Sequence, residues 1–192
     1  MTGPHVIPFL PSYIPPEVCT PVGQDPATTS VDTCMNLVIA DIGDDGVSAS
    51  QDAPTAEVAQ VVADAKQQGI DLKVVVLAQN PRIDTPLRDI ATEVGEAYPG
   101  STVLVLSPSE SGTFSTTFDR MTLEAGQDVA EGRGPVQGTK NFVSELTTPH
   151  FPWTPFTIVV VLGVVAAVVA TRVLQVRGKR AAAAGAASSS AD

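Results

Sequence analysis

An uncharged run near the C-terminus is the feature that most constrains this chain of 192 residues. The run begins at Phe156 and reads FTIVVVLGVVAAVVAT before Arg172 interrupts it. Counted through Val176, the segment spans about 31 Å at the α-helical rise, which matches the hydrocarbon core of a bilayer. A helix in the core of a soluble protein would have a polar face, whereas this segment is apolar on every side. The sequence therefore predicts a transmembrane helix at residues 156–176.

The residues that flank this segment indicate how it sits in the membrane. Arg172 lies close enough to the end of the span for its long side chain to reach the headgroups. Because the basic cluster follows the span, the positive-inside rule predicts a cytoplasmic C-terminus and places residues 1–155 outside the cell membrane. Residues 177–192, basic and then low in complexity, form the expected cytoplasmic tail. The expected membrane-interface anchors are Trp153, Arg172, Arg177, Lys179 and Arg180.

A second topology stays open because the first residues do not resemble a signal peptide. The segment MTGPHVIPFLPSYIPPEV has neither a basic n-region nor a continuous apolar h-region. Long domains also follow the charge rule less strictly than short loops do. The alternative is a tail anchor that holds the domain in the cytosol. We expect the single-pass arrangement with the domain outside.

The charge of the chain is unevenly distributed. Residues 1–155 contain seven basic and 20 acidic side chains, which leaves a formal charge of −13, whereas residues 172–192 contain four basic residues and one acidic residue. A domain this acidic repels phosphate backbones, so nucleic acid is not an expected partner. Acidity that simply keeps the domain soluble is the plainer interpretation.

The cysteines and histidines give no support for a zinc site. Cys19 and Cys34 do not form a CxxC motif, and His5 and His150 lie at opposite ends of the domain. In an oxidising compartment the two cysteines would be able to form a disulfide. Two unrelated thiols fit the same spacing.

The part of the chain before the membrane segment divides by composition. Prolines, which fix φ and lack an N–H group, are frequent in residues 1–30 and predict an extended arm. Residues 31–147 alternate short apolar runs with helical patterns, and residues 148–155 form a juxtamembrane linker. Strands are predicted at Asn36–Ile42, Leu72–Ala78, Thr102–Leu106 and, on an edge of the sheet, Thr113–Phe118. Helices are predicted from Asp52 to Gly69, from Thr85 to Pro99, at Asp119–Ala130 and at Thr139–Leu146. Gly132–Gly138 is expected to be a flexible loop. This order predicts an α/β fold, with a small, mainly parallel sheet flanked by helices.

An acidic segment directly follows the first predicted strand. Asp41, Asp44 and Asp45 are candidates for a metal site, because carboxylates at the carboxyl end of a strand border the usual ligand crevice. Calcium would be the most suitable ion, although the spacing is not that of an EF-hand. The simpler alternative is a solvated turn.

Other polar segments do not predict catalysis. Ser107–Ser115 contains serines after a strand but has no nucleophile elbow and no histidine base. Gly132–Lys140 lacks the order of a phosphate-binding loop. Arg82, Arg88 and Arg120 are expected to pair with acidic side chains, and Arg82 is also placed to contact a ligand. The sequence therefore predicts no catalytic residue and no cofactor-binding residue.

The chain resembles two protein families. The strand NLVIADI, a helix, the strand LKVVVLA and a C-terminal anchor resemble the TPM domain family of membrane-associated proteins, over about residues 31–147. Over nearly its full length, the chain is similar to a family of uncharacterised actinobacterial (mycobacterial-type) single-pass membrane proteins, through HVIPFLPSYIPPEVC, LVIADIGDDG and FDRMTLEAGQDVA. The resemblance implies a Rossmann-like sandwich in an envelope compartment, with an acidic site at Asp41, Asp44 and Asp45. It implies phosphatase, metal-binding or assembly-factor roles without selecting one.

Three functional hypotheses follow from these observations. The first is a non-catalytic, membrane-tethered envelope domain that binds a protein partner and assists or regulates cell-envelope machinery. Its contact surface would be the carboxyl edge of the sheet, with Asp41–Asp45, Arg82 and Ser107–Ser115. The alternative is a metal-dependent, phosphatase-like or calcium-binding TPM-type domain. A purely structural anchor is a third hypothesis.

Overall fold

The computed structural model describes residues 13–148 and 153–189, and within the second stretch it describes the side chains of residues 156–179. The chain divides after Thr148 into two compact units. The first unit is an α/β domain, and the second contains one long helix.

The described part of the first unit contains one four-stranded sheet with the strand order β1-β2-β3-β4. Strands β1, β2 and β3 are parallel, and β4 pairs antiparallel with β3. The predicted fold class is therefore confirmed as a small mixed sheet flanked by helices. The elements are a 3-10 helix at Pro16–Cys19, α1 at Val31–Asp45, β1 at Val47–Ala49, α2 at Thr55–Gln67, β2 at Leu72–Val76, α3 at Thr85–Ala97, β3 at Thr102–Leu106, β4 at Ser111–Ser115, α4 at Arg120–Ala130 and α5 at Pro135–Thr147.

The strand predicted at Asn36–Ile42 is wrong, because these residues lie inside helix α1. The Ser30 side chain caps the helix by accepting the Thr33 N–H at 3.2 Å. The buried residues of α1 are Cys34, Met35, Val38 and Ile42, which share one face of a helix. Gly46 ends the helix at φ 87°, and β1 begins at the next residue.

The other predicted elements agree with the structure more closely. Strands β2 and β3 and helices α2, α3 and α4 lie where the sequence places them. The edge strand begins two residues earlier than predicted, at Ser111, so only residues 107–110 form the turn before it. Helix α5 begins at Pro135, inside the predicted flexible loop, because proline is well suited to the first turn of a helix.

The described part of the proline-rich arm is not extended. Residues 13–30 form the 3-10 helix and a series of turns, and Val18 and Cys19 are fully buried. The Thr20 hydroxyl accepts the Ala78 N–H at 3.1 Å, and the Tyr13 N–H donates to Asp89 at 2.9 Å. These residues therefore belong to the domain, while residues 1–12 lie outside the described part of the chain.

The core has two halves, one on each face of the sheet. Val74 and Val76 of β2 pack with helices α2 and α5 on one face. Val75 points the other way and packs with helices α1 and α3. This period-two alternation follows from the pleat of a strand that is buried on both faces.

The two helices that connect the parallel strands lie on opposite faces of the sheet. Helix α2 joins β1 to β2 on the Val74 face, and α3 joins β2 to β3 on the Val75 face. Because the three strands are adjacent in sequence order, two crossovers of the same hand would place both helices on one face. One of the two crossovers is therefore left-handed, which is rare in parallel sheets.

The second unit contains helix α6, at Trp153–Ser189. Residues Phe156–Lys179 form a 24-residue stretch that is long and apolar enough to cross a membrane. All side chains of residues 156–179 are exposed, including Arg172, Arg177 and Lys179. The side chains of Trp153 and Arg180, two of the five predicted interface anchors, lie outside the described residues.

Candidate functional site

The three candidate metal ligands lie on helix α1, so their predicted setting is wrong. Asp41, Asp44 and Asp45 occupy its last two turns and precede β1 instead of following a strand. They consequently lie at the amino end of the parallel sheet. Arg82 and Ser107 follow the carboxyl ends of β2 and β3. The predicted contact surface, which combined these groups on one edge, is therefore not formed.

The three aspartates instead line a groove beside β1, which is an outer strand of the sheet. This β1 groove has a volume of about 640 Å³ and is bounded by helix α1, the turns after the 3-10 helix and the segment that follows β1. Leu37, 41% exposed, supplies an apolar wall. The lining residues are Pro21, Val22, Gln24, Leu37, Ala40, Asp41, Asp44, Asp45, Val47, Ala49, Gln51 and Thr55.

The β1 groove is electrostatically one-sided. The described residues of its lining include three aspartates and neither lysine nor arginine. Lys66 and Lys73 line a neighbouring cavity of about 330 Å³ that shares Asp44 and Asp45 with the groove. Lys73 is paired with Asp71 at 3.2 Å. Within the described residues, no ion pair involves Asp41 or Asp44.

One of the three aspartates has a structural role. Asp45 accepts the N–H of Val47 at 2.9 Å through its Oδ1 atom. This hydrogen bond covers the first outward-facing backbone donor of β1. Asp41 and Asp44 are exposed and make no comparable bond to the described backbone.

In the part of the chain that the structure describes, no three His, Cys, Asp or Glu side chains form a group that could hold a metal ion. Asp41, Asp44 and Asp45 face the same groove, but they do not form a cluster of ligands. The calcium hypothesis stays a prediction.

At the carboxyl edge of the sheet, side-chain hydrogen bonds connect neighbouring segments. The Asn80 side chain donates to the Ser109 hydroxyl at 2.6 Å and accepts the Ser109 N–H at 3.1 Å. These bonds join the segment after β2 to the turn after β3. Among the described residues, one oxygen of the Glu110 carboxyl is buried there without a hydrogen-bond partner. Arg82 is exposed and forms no ion pair with a described residue.

The arginines Arg88 and Arg120 pair with Glu124, as the sequence predicted for the cations of this acidic domain. The Arg120 side chain donates to Glu124 at 2.6 Å, and Arg88 lies 3.9 Å from the same carboxylate. The hydrogen bond from Arg120 is the main cause that lowers the pKa of Glu124 below its usual value, and the charges of both arginines add to it. Desolvation acts in the opposite direction and raises the pKa by more than either arginine charge alone lowers it.

The two cysteines are joined in the structure. Cys19 and Cys34 form a disulfide with Cα atoms 4.8 Å apart, and both residues are fully buried. The bond connects the 3-10 helix to the first turn of α1. It therefore fixes the proline-rich segment beside the helix that supplies the three aspartates.

Comparison with known proteins decides the family. A family model described as "Membrane protein Rv1476" matches residues 13–185. A protein of that same description from Mycobacterium tuberculosis (strain ATCC 25618 / H37Rv) is 49% identical over 185 residues. The alignment covers 95% of this chain and 91% of that relative. The chain belongs to the Rv1476 membrane protein family.

Family membership extends across both units of the chain. The matched residues of the Rv1476 family include the α/β domain, the apolar stretch Phe156–Lys179 with its basic C-terminal end, and Arg180. The full-length resemblance seen in the sequence, to mycobacterial-type membrane proteins, is therefore confirmed. No solved structure matches the chain.

Proposed function

We propose that this member of the Rv1476 family is a single-pass, non-catalytic envelope protein whose α/β domain binds a protein partner at the membrane surface. The observation that carries the proposal is the arrangement of a domain with its own two-sided core before one exposed apolar helix. A tether of this kind confines the domain near other membrane proteins and raises its effective concentration toward them.

We place the domain outside the cell membrane and the C-terminus in the cytoplasm. Two independent features support this orientation. Arg177 and Lys179 lie at the C-terminal end of the stretch Phe156–Lys179, as expected for a cytoplasmic flank. The disulfide between Cys19 and Cys34 is typical of proteins that fold in an oxidising compartment.

Thiol labelling in cells tests the orientation. Lysates are quenched in acid, denatured and treated with a maleimide polymer, with and without prior reduction. We expect a mass shift only after reduction, because both thiols are already bonded. A Cys34→Ala variant should be labelled at its one remaining cysteine without reduction. A full shift of the native protein without reductant would place the domain in the cytosol.

Site-specific photocrosslinking tests whether the domain binds a partner. A photoreactive residue is introduced separately at three exposed apolar positions on different surfaces, Leu37, Ile83 and Val129. We expect a discrete adduct of constant mass from at least one position, in living cells. The absence of a discrete adduct from all three positions would contradict partner binding.

The metal-dependent, phosphatase-like function remains the alternative. A TPM-like domain is supported by the order of the elements from α2 to β3, but its first strand, at Asn36–Ile42, is helical here. Metal-assisted phosphate hydrolysis needs clustered ligands and a cation for the transition state. Calorimetric titration of the full-length protein with calcium, magnesium and manganese distinguishes the two functions, since stoichiometric binding would favour the alternative.

A further inference from the structure

The outer edge of β1 carries backbone groups that the sheet does not use. In the parallel ladder, the Val74 N–H donates to Gly46 O at 2.9 Å and the Ser50 N–H donates to Val76 O at 3.3 Å. This register directs the backbone of Ser48 toward β2, so the N–H and C=O groups of Val47 and Ala49 face the other way. Asp45 covers the Val47 N–H.

Ala49 is therefore the residue of this edge whose N–H and C=O groups are both open. It is partly exposed and lines the β1 groove, and its N–H and C=O have no hydrogen-bond partner among the described residues. An N–H and a C=O of one residue on the free side of an outer strand are the pair that an added strand uses.

The opposite edge of the sheet, on β4, is partly covered by side chains of α4. On β4, the Gln127 side chain donates to Ser111 O at 3.1 Å and accepts from the Thr113 hydroxyl at 2.6 Å. The Arg88–Glu124 pair joins α3 to α4 beside the same strand. Folded proteins commonly protect sheet edges in this way. No described side chain bonds to Ala49 in a similar manner.

The charge of the β1 groove selects its occupant. Asp41, Asp44 and Asp45 line the approach to Ala49, and no basic side chain accompanies them among the described lining residues. A second copy of this chain would bring the same three aspartates against them, and like charges that face each other oppose association. A segment with lysine or arginine at alternate positions would place its cations on one side, next to the aspartates.

We propose that the β1 groove binds an extended, basic segment of a partner protein, which pairs with β1 through the backbone of Ala49 and with Asp41 and Asp44 through its cations. This inference rests on the proposed function and names the chemistry of the partner. Backbone pairing supplies the register, and the aspartates exclude neutral or acidic strands.

Fluorescence polarisation with the full-length protein in nanodiscs tests the proposal. The probe is a labelled six-residue peptide of alternating lysine and valine, and the control peptide has glutamate in place of lysine. We expect saturable binding of the lysine peptide only, weakened by added salt. A third peptide, N-methylated on one edge, cannot donate backbone hydrogen bonds there and should bind at least tenfold more weakly.

Two altered proteins and one control test whether the peptide binds at this surface. Asp41→Asn combined with Asp44→Asn should weaken binding of the lysine peptide by about three- to tenfold, as expected for two exposed charge pairs. Glu96→Gln combined with Asp128→Asn removes the same charge from exposed positions on α3 and α4 and should leave binding unchanged. Ala49→Pro removes the outward N–H and no ladder bond, so binding should fall at least tenfold with an unchanged melting temperature.

Three results would overturn the inference: equal binding of the lysine and glutamate peptides, equal binding of the N-methylated peptide, or no loss in the Asp41→Asn, Asp44→Asn protein. The N-methylated peptide keeps the test valid if Ala49→Pro does not fold. A discrete photocrosslink from Ile83 or Val129 without binding of the lysine peptide would reject this inference and leave the proposed function intact.

Discussion

Asp44 lies at the end of a helix where a carboxylate is electrostatically unfavourable. Helix α1 ends at Asp45, so the negative end of its dipole lies beside the Asp44 side chain. The last turn of the helix has no basic residue that would offset this charge. Asp45 is compensated by its hydrogen bond to Val47. Asp44 makes no such bond in the described structure. A group that costs stability and supports no contact within the domain is typical of a binding surface.

Replacing Asp44 by asparagine should therefore stabilise the domain. We expect Asp44→Asn to raise the free energy of unfolding by about 0.3–1 kcal/mol, because it removes a negative charge from the C-terminal turn. Urea denaturation of the full-length protein in detergent measures the change. Asp32→Asn is the matched control, since Asp32 is exposed in the first turn of the same helix and should have the opposite sign. Equal signs for the two variants would contradict the argument.

Glu124 gives the domain a small dependence of stability on pH. The hydrogen bond from Arg120 lowers the pKa of Glu124 in the folded state below 4.5, its value in the absence of partners. A carboxyl whose folded-state pKa is lowered stabilises the fold above its unfolded pKa, and this contribution disappears as the pH falls through the folded pKa. Arg120→Gln should raise the pKa of Glu124 toward 4.5, which an NMR titration of the side-chain carboxyl carbon detects. Arg133→Gln, at an exposed position after α4, should leave it unchanged.

At the scale of elements, the contact between α3 and β4 depends on two glycines. A Cβ atom at Gly112 would lie 2.5 Å from the backbone of Leu87, and one at Gly95 would overlap the ring of Phe114. The helix and the edge strand therefore approach more closely than any larger residue permits. This contact holds an antiparallel strand on a sheet whose other strands are parallel.

Gly112→Ala should consequently destabilise the domain by about 1–3 kcal/mol, the usual cost of overpacking a core. The clash involves backbone atoms of α3, which cannot move aside as a flexible side chain would. Thermal unfolding monitored by circular dichroism measures the loss. Thr116→Ala, at an exposed position just past β4, serves as the control and should change stability little. An unaltered melting temperature for Gly112→Ala would mean that α3 does not contact β4 as closely as described.

The sequence predicts an element well when the residues of that element alone determine its structure. Strands β2 and β3 are continuous apolar runs between helices with one apolar face, so the sequence predicted them closely. The run at Asn36–Ile42 misled the prediction because a short apolar stretch fits a strand and a buried helix equally well. Its helical character is decided by the Ser30 cap and by packing on β2. Because this strand prediction was wrong, Asp41–Asp45 were also predicted at the wrong end of the sheet.

No local sequence signal predicts that α2 and α3 pack on opposite faces of the sheet. Both helices have a clear apolar stripe, which fixes the side they bury but not the face of the sheet they pack on. The usual right-handed rule for crossovers would have placed them together. The sequence did not predict the β1 groove for the same reason. The groove exists only because β1 is an outer strand beside α1.

At the scale of the whole molecule, charge divides the chain into two regions. The residues before the span are strongly acidic, and those after it carry three basic side chains and one acidic side chain. An acidic domain is repelled by anionic headgroups, so we expect it to make few direct contacts with lipid even if the apolar helix crosses the bilayer. We therefore expect the surface of the domain to be available to proteins, with the apolar helix of the described chain as the attachment to lipid.

If that helix is the attachment, a charge at its centre should weaken it more than the same charge at its end. Val165 lies near the middle of the stretch Phe156–Lys179, and a lysine there costs about 2.5–3.5 kcal/mol on insertion scales. We expect Val165→Lys to shift the protein from the membrane pellet toward the soluble fraction after ultracentrifugation without detergent. Val176→Lys adds the same charge where a lysine can reach the headgroups, and it should stay in the pellet. Equal partitioning of the two variants, or native protein in the aqueous fraction, would show that the apolar stretch does not cross the bilayer.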